Sequence, residues 1–514
     1  MKRKSYFLLA SASSLAVILG TSAYAGSGNE AATNQSGERN FGFYDQFDST
    51  DGTVTGDQTG DDNSVNVTQN GTDNASDADQ VGNNNTLVDD ILGDDNAVTQ
   101  NQAGDDNVTN SEIDGNDNTV DVTQSQDPRF FFIPAQGGNN MSDTDILGDG
   151  NDVDVAQRRS ENDATQQING NDNSVDVKQR DRATSSGNES TVVIGNSSAV
   201  QEQNNENKVT VDQDRGADSI VTILGSVNEI NVEQNTGGFS SVTVSGVADG
   251  SINTIDIFQG GLFNTSNADV LGGGNTILVD QDGLNVSTLS IGVAGFDGDS
   301  NNVIIRQDGA NLALTTILGT SNTVEADQDG VNISTITISN NLQSATNNSV
   351  KVDQDGLNRL DVNVFGNTNT IDLDQDGTNS ADLIVGVTVR RGNSNVLNIE
   401  QSGANTLTAT VLGIQNNLNL NFTGQVATFA TDAGLEKGDI FQSGFGNEIT
   451  LTVGTTSDGS GFNAFAFQQD GNLNDITASI SGGDTNQMLV SQVGNNNTAV
   501  ASIVGSNNSM LVSQ

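Results

Sequence analysis

The sequence predicts an all-β fold, a β-solenoid with two short strands per coil and a repeat of about 22 residues. Three observations predict it. Of 34 Gln residues, 21 stand six positions after an Asn, where independent placement would give about four or five matches. The residues between them alternate in character: Asn275, Ile277, Val279 and Gln281 share one parity, as do Asn369, Ile371, Leu373 and Gln375, and Asn63, Val65, Val67 and Gln69. The Gln marks at 58, 80, 102 and 124 recur every 22 residues, and those at 281, 307, 328, 354, 375 and 401 alternate spacings of 26 and 21.

Period two is the mark of a strand with one buried face, since a helix would scatter these residues around its circumference. Each strand therefore turns an aliphatic pair inward with an amide at either end of the row. A turn follows the Gln, as in Gln281-Asp282-Gly283-Leu284-Asn285, and a second strand repeats the rule through Asn285, Ser287, Leu289 and Ile291. Two strands make one coil, and about twenty coils fit the chain.

A two-stranded coil cannot bury its inner face alone, but stacking in register pairs each backbone group with the coils above and below. Equivalent amides then form ladders. The residues expected in them are Asn63, Gln69, Asn74, Gln80, Asn275, Gln281, Asn301, Gln307, Asn322, Gln328, Asn348, Gln354, Asn369, Gln375, Asn395, Gln401, Asn508 and Gln514. Left unpaired in a core each would cost roughly 1–3 kcal/mol, whereas a ladder satisfies them and fixes the register.

The N-terminus carries Met1-Lys2-Arg3-Lys4, an apolar stretch from Tyr6 to Gly20 and then Ala23-Tyr24-Ala25. This is the form of a secretory signal peptide, residues 1–25, which leaves a secreted mature chain with no membrane span. Residues 26–57 lack the full coil pattern and are expected to be a leader or targeting segment. The repeat solenoid is expected over 58–514, with insertions near 125–150, 180–206 and 426–441. Pro128 and Pro134 flank Phe130, Phe131 and Phe132, and because proline cannot donate to a ladder they mark an excursion from the stack. The last segment, Asn508 to Gln514, is a complete repeat strand without a polar cap, expected to template another chain.

Composition narrows the function. The chain has no His and no Cys, so the commonest general base, the thiol nucleophile and the ligands of zinc and copper sites are missing, and no enzyme is expected. Its formal charge of −49 argues against nucleic acid as a partner, since phosphate recognition needs clustered Lys and Arg. No cofactor is expected, calcium excepted: Asp282, Asp308, Asp329, Asp355 and Asp376 each follow a repeat Gln and would form a surface column of carboxylates. Such a column also serves as turn chemistry and edge protection.

The pattern resembles the curlin repeat of curli-type bacterial amyloid fibres, in which strand, Gly-containing turn and strand are framed by polar residues and Gln. The likeness is specific at Gln69-Asn-Gly71-Thr-Asp-Asn74-Ala-Ser-Asp-Ala-Asp-Gln80 and extends over most of 58–514. It implies a secreted subunit that self-associates into adhesive fibres supporting a biofilm matrix, served by outer-membrane secretion and nucleation proteins. Two departures stand out: in coils such as 275–291 and 369–385 the second strand closes on Ile or Val where the family has Gln, and the array is far longer than a curlin subunit. The alternative is a non-polymerising surface adhesin that binds a receptor or calcium through its loops or acidic face.

Overall fold

A computed structural model describes residues 27–514 except 126–137, 160, 181–186, 196–204, 246–251, 262, 293–297, 339–344, 365, 376, 379, 385–394, 402–405, 412–421, 454–462 and 482. The described coils fall into two units, one ending at Asn253 and the other beginning at Thr254. Each unit is a β-solenoid of stacked two-stranded coils.

Within each unit the first strand of a coil belongs to one parallel sheet and the second strand to the other. In the first unit, Ala75–Val81 pairs with Ala97–Ala103 so that Gln80 lies beside Gln102. On the other side, Ser64–Asn70 pairs with Thr86–Leu92 and Gln69 lies beside Ile91. The second unit repeats the arrangement, with Gln281 beside Gln307 and Ile291 beside Ile317. One sheet thus closes its inner row on Gln and the other on Ile or Val; we call them the Gln sheet and the Ile sheet.

The core between the sheets is narrow and built from small aliphatics. Val65, Val67, Leu87, Ile91, Val120 and Val122 of the first unit are almost fully buried, and successive residues along each strand alternate between core and solvent. Rings enter at few places, Phe465 and Phe467 on one strand and Tyr44 where the backbone yields space. Gly42 and Gly56 flank Tyr44, and a Cβ on Gly42 would lie 2.8 Å from the tyrosine ring.

Corners depend on glycine for two reasons. Gly71 has φ +134°, and a Cβ there would lie 1.7 Å from the carbonyl oxygen of Gly93 one coil on. Asp73 then completes the corner in the left-handed region at φ 58°, which Asp and Asn tolerate better than other side chains.

Several boundaries differ from the sequence expectation. Residues 26–57, expected as a leader, carry strands Glu30–Ser36, Phe41–Gln46 and Thr53–Thr59, stacked in register on the coils that follow. Their inner rows hold Gly42, Tyr44 and Gly56 where an aliphatic pair would stand, which hides the pattern. The region 125–150 contains the regular strand Met141–Leu147, and 180–206 contains Glu189–Ile194. In both, the second-strand parity is kept with Ser or Thr in place of an aliphatic, as in Asn140, Ser142, Thr144 and Ile146. The region 426–441 holds a helix, α1 (Gly424–Ala433), followed by strand Asp439–Ser443. Gly434 ends α1 in the left-handed conformation, as glycine commonly does. Val426 and Ala430 of α1 pack with Leu489, an outward-pointing residue of the Gln sheet. The signal segment 1–25, the Pro128–Pro134 segment and the long corner loops lie outside the described residues, wholly or in large part.

Candidate assembly surface

The ladders are hydrogen-bonded columns over long runs of coils, interrupted in the second unit where the buried Gln328 Nε2 finds no acceptor. In the first unit the Gln58 amide donates to Gln80 at 2.9 Å, Gln80 to Gln102 at 2.8 Å and Gln102 to Gln124 at 3.1 Å. The column goes on through Gln157 and Gln179 to Gln213 and Gln234. Each Nε2 has a second hydrogen, and it crosses the core: Gln80 donates to the Ser64 carbonyl at 3.0 Å and Gln102 to Thr86 at 2.9 Å. One side chain therefore ties coil to coil and sheet to sheet. In the second unit Gln281 donates to Gln307 and Gln307 to Gln328. Gln354 stands in register with Gln328, Gln375 with Gln354 and Gln401 with Gln375. Gln492 donates to Gln514 at 2.8 Å.

Asn columns run the opposite way. Asn85 turns both its backbone N–H and its Nδ2 toward the Oδ1 of Asn63, each at 3.1 Å, and its remaining Nδ2 hydrogen reaches the Gly104 carbonyl at 2.7 Å. Asn96 does the same with Asn74. In the second unit the column Asn275, Asn301, Asn322, Asn348, Asn369 and Asn395 is unbroken, with side-chain bonds of 2.9–3.1 Å. Asn508 donates to Asn486 at 3.2 Å. Gln amides thus point toward higher residue numbers and Asn amides toward lower ones. A coil face that offers Gln donors offers Asn acceptors, and its opposite face offers the reverse. Only head-to-tail stacking satisfies both.

Gln69 takes its place in a short ladder with Gln46 on the Ile sheet. It does not join Gln80, because the two lie in different sheets; its Oε1 accepts from Gln46 at 3.1 Å and its Nε2 reaches the Thr53 carbonyl. Above it the column continues as Ile91, Ile113, Ile146 and Ile168. Likewise Asn63 belongs to the Ile sheet and Asn74 to the Gln sheet.

Residues 60–88 match the family model of the Curlin associated repeat. No curated protein matches the chain. The matched stretch contains two consecutive strands that both close on Gln, at Gln69 and Gln80. Beyond it the Ile sheet replaces that Gln with an aliphatic, so the chain carries a curlin-type coil whose second amide ladder has become a hydrophobic column.

The acidic positions fall on the surface. Asp282, Asp308, Asp329 and Asp355 are exposed, with Asp282 directly beside Asp308 in the register; Asp376 lies outside the described residues. Among the described residues no three acids stand together as a metal-holding group.

One buried acid escaped the sequence reading. Asp89 occupies an inward position between Leu87 and Ile91 and is fully buried. Its Oδ2 accepts from the Ser76 hydroxyl at 2.7 Å, and burial pushes its carboxyl up to about 7, opposed by that bond. Strand parity in Asn85-Thr-Leu87-Val-Asp89-Asp-Ile91 was the signal that marks it as inward. Nearby, Gln100 bonds Thr109 and Ser111 across the core, so these coils carry polar groups where others carry valine.

Proposed function

We propose that this chain is a structural subunit of secreted, adhesive, curli-type fibres that support cell adhesion and a biofilm matrix, assembled by templated β-stacking and without catalysis. The observation that carries the reading is the opposed pair of amide ladders. Any exposed coil face presents unpaired strand edges, Gln groups of one hydrogen-bonding sense and Asn groups of the other, which is the complement of the opposite face of another coil. Such an interface is heterologous and does not close on itself, the condition for an open filament. The curlin-type coil at 60–88 supports the same reading, and with it come secretion and outer-membrane partners.

Negative-stain microscopy of residues 26–514 after removal of denaturant tests it. Unbranched filaments, whose growth is seeded by preformed fragments, are the expected result. Uniform unassembled particles that persist for days at micromolar concentration would sink the fibre reading and leave a solitary surface adhesin.

A further inference from the structure

The two faces of the second unit differ in charge. Over the coils from 276 to 338 the outer face of the Gln sheet carries Asp280, Arg306, Glu325 and Asp327. The outer face of the Ile sheet over the same coils carries no charge at all. Its three strands, Val286–Ile291, Leu312–Ile317 and Ile333–Ile338, stack Val286, Leu312 and Ile333 in one column and Thr288, Leu314 and Thr335 in the next. A third column is Ser290, Thr316 and Thr337. Beyond both ends charge returns, at Asp269 on one side and at the Arg359–Asp361 pair on the other.

An apolar ridge borders this face. At the corner position before the Asn stand Phe263, Leu284, Val331 and Leu357, exposed by 75, 55, 51 and 64%, with the smaller Ala310 between Leu284 and Val331. Phe263 and Leu357 sit there at φ 65° and 66°, in the left-handed region that most coils of the first unit give to Asp or Asn. Bulky apolar residues are unfavourable both on that backbone and in solvent.

We propose that this face and its ridge pair with the same surface of a second copy of the chain. Charge decides the occupant. Two chains of formal charge −49 repel wherever carboxylates meet, and here they can meet through aliphatics and threonines that interdigitate, with Asp282, Asp308, Asp329 and Asp355 left outside at the solvated rim. The three strands offer only about 300 Å² per copy, well below the roughly 800 Å² of a stable pair. One contact is therefore weak, and pairing strengthens when many copies are aligned along a filament.

The test uses the absence of cysteine from the chain. Leu314 is central in the face and meets its own counterpart in any two-fold arrangement centred there. Full-length mature Leu314→Cys is expected to give a disulfide dimer on mild oxidation, at about tenfold the yield of Glu325→Cys on the opposite sheet. Equal yields overturn the proposal. Wild-type filaments are expected as laterally paired threads and Ile333→Asp filaments as single ones of unchanged circular dichroism; Ile333→Asp filaments paired like wild type overturn it. The filament arm rests on the fibre reading, whereas the cross-linking arm judges the face even if no filament forms.

Discussion

Ser76 donates a 2.7 Å hydrogen bond to Asp89 across the core of the first unit, and both residues are buried. The inward residues packed around Asp89 are Val65 and Val67, Ser76 and Ala78, Val98 and Gln100, and Thr109 and Ser111, none of them charged. The acids on the same strands, Asp77, Asp79 and Asp90, point outward. Only the Ser76 hydroxyl bond supports an ionised Asp89, and burial outweighs it and lifts the carboxyl to about 7.

The sign of the pH dependence follows. The folded chain holds a proton on Asp89 that the unfolded chain releases near pH 4, so the stability it contributes is full below that value and is lost as the pH rises to about 7. Burial also raises Asp154, Asp163 and Asp218, which adds to the slope in the same direction. Between pH 5 and pH 8 the wild type is expected to lose about 2 kcal/mol more than Asp89→Asn, read from urea midpoints of the two proteins. Parallel pH profiles would show that Asp89 does not titrate in this range.

The amide ladder makes a second, comparative prediction. Gln102→Leu leaves the Gln80 donor, the Gln124 acceptor and the Thr86 carbonyl without their partner, a loss of roughly 1–3 kcal/mol. Gln69→Ile puts into the column the residue type that already fills it above, at Ile91, and gives up the bond from Gln46 and the one to the Thr53 carbonyl. Its cost is expected to be smaller by about 1 kcal/mol. Chemical denaturation of the two variants side by side checks this, and equal costs would mean that the Gln column does not act as a ladder.

What the sequence made legible was what repeats. Asn-x5-Gln with period-two aliphatics fixed the strands, the two sheets and most ladder members, because each coil is one copy of a local rule and stacking follows from it. Legibility failed where a coil met the same geometric need with different residues. Tyr44 between Gly42 and Gly56 fills the core volume of an aliphatic pair, and Ser142 with Thr144 occupies a core position that valine takes elsewhere. Helix α1 was hidden for another reason: its footing is not local. Ala464, Ala466 and Leu489 are outward residues that are nevertheless buried, and Thr423 exchanges hydrogen bonds with Gln487, a contact 64 residues away.

Corner glycines are expected to divide sharply. Gly93 has φ +124°, and a Cβ there would lie 1.8 Å from the Gly115 carbonyl oxygen, whereas a Cβ on Gly356 meets nothing within 4 Å. Gly93→Ala combines left-handed strain of about 1–2 kcal/mol with a backbone clash that forces two coils apart. Gly356→Ala is expected to shift the thermal midpoint little. Similar midpoints for the two would show that corners relax without disturbing the stack.

The Asp column gives the last prediction. Asp282 and Asp308 are neighbours in the register, and two exposed carboxylates one rung apart repel by about 0.9 kcal/mol in water before screening. Added salt should therefore raise the thermal midpoint at low ionic strength, and replacing Asp282, Asp308, Asp329 and Asp355 together by Asn should raise it without salt and flatten the dependence. Calcium discriminates screening from binding. Screening alone predicts that calcium chloride and sodium chloride at matched ionic strength act alike on the wild type. A calcium-specific rise in the midpoint that disappears in the Asn variant would instead make this column an ion site and bring back the calcium-binding adhesin.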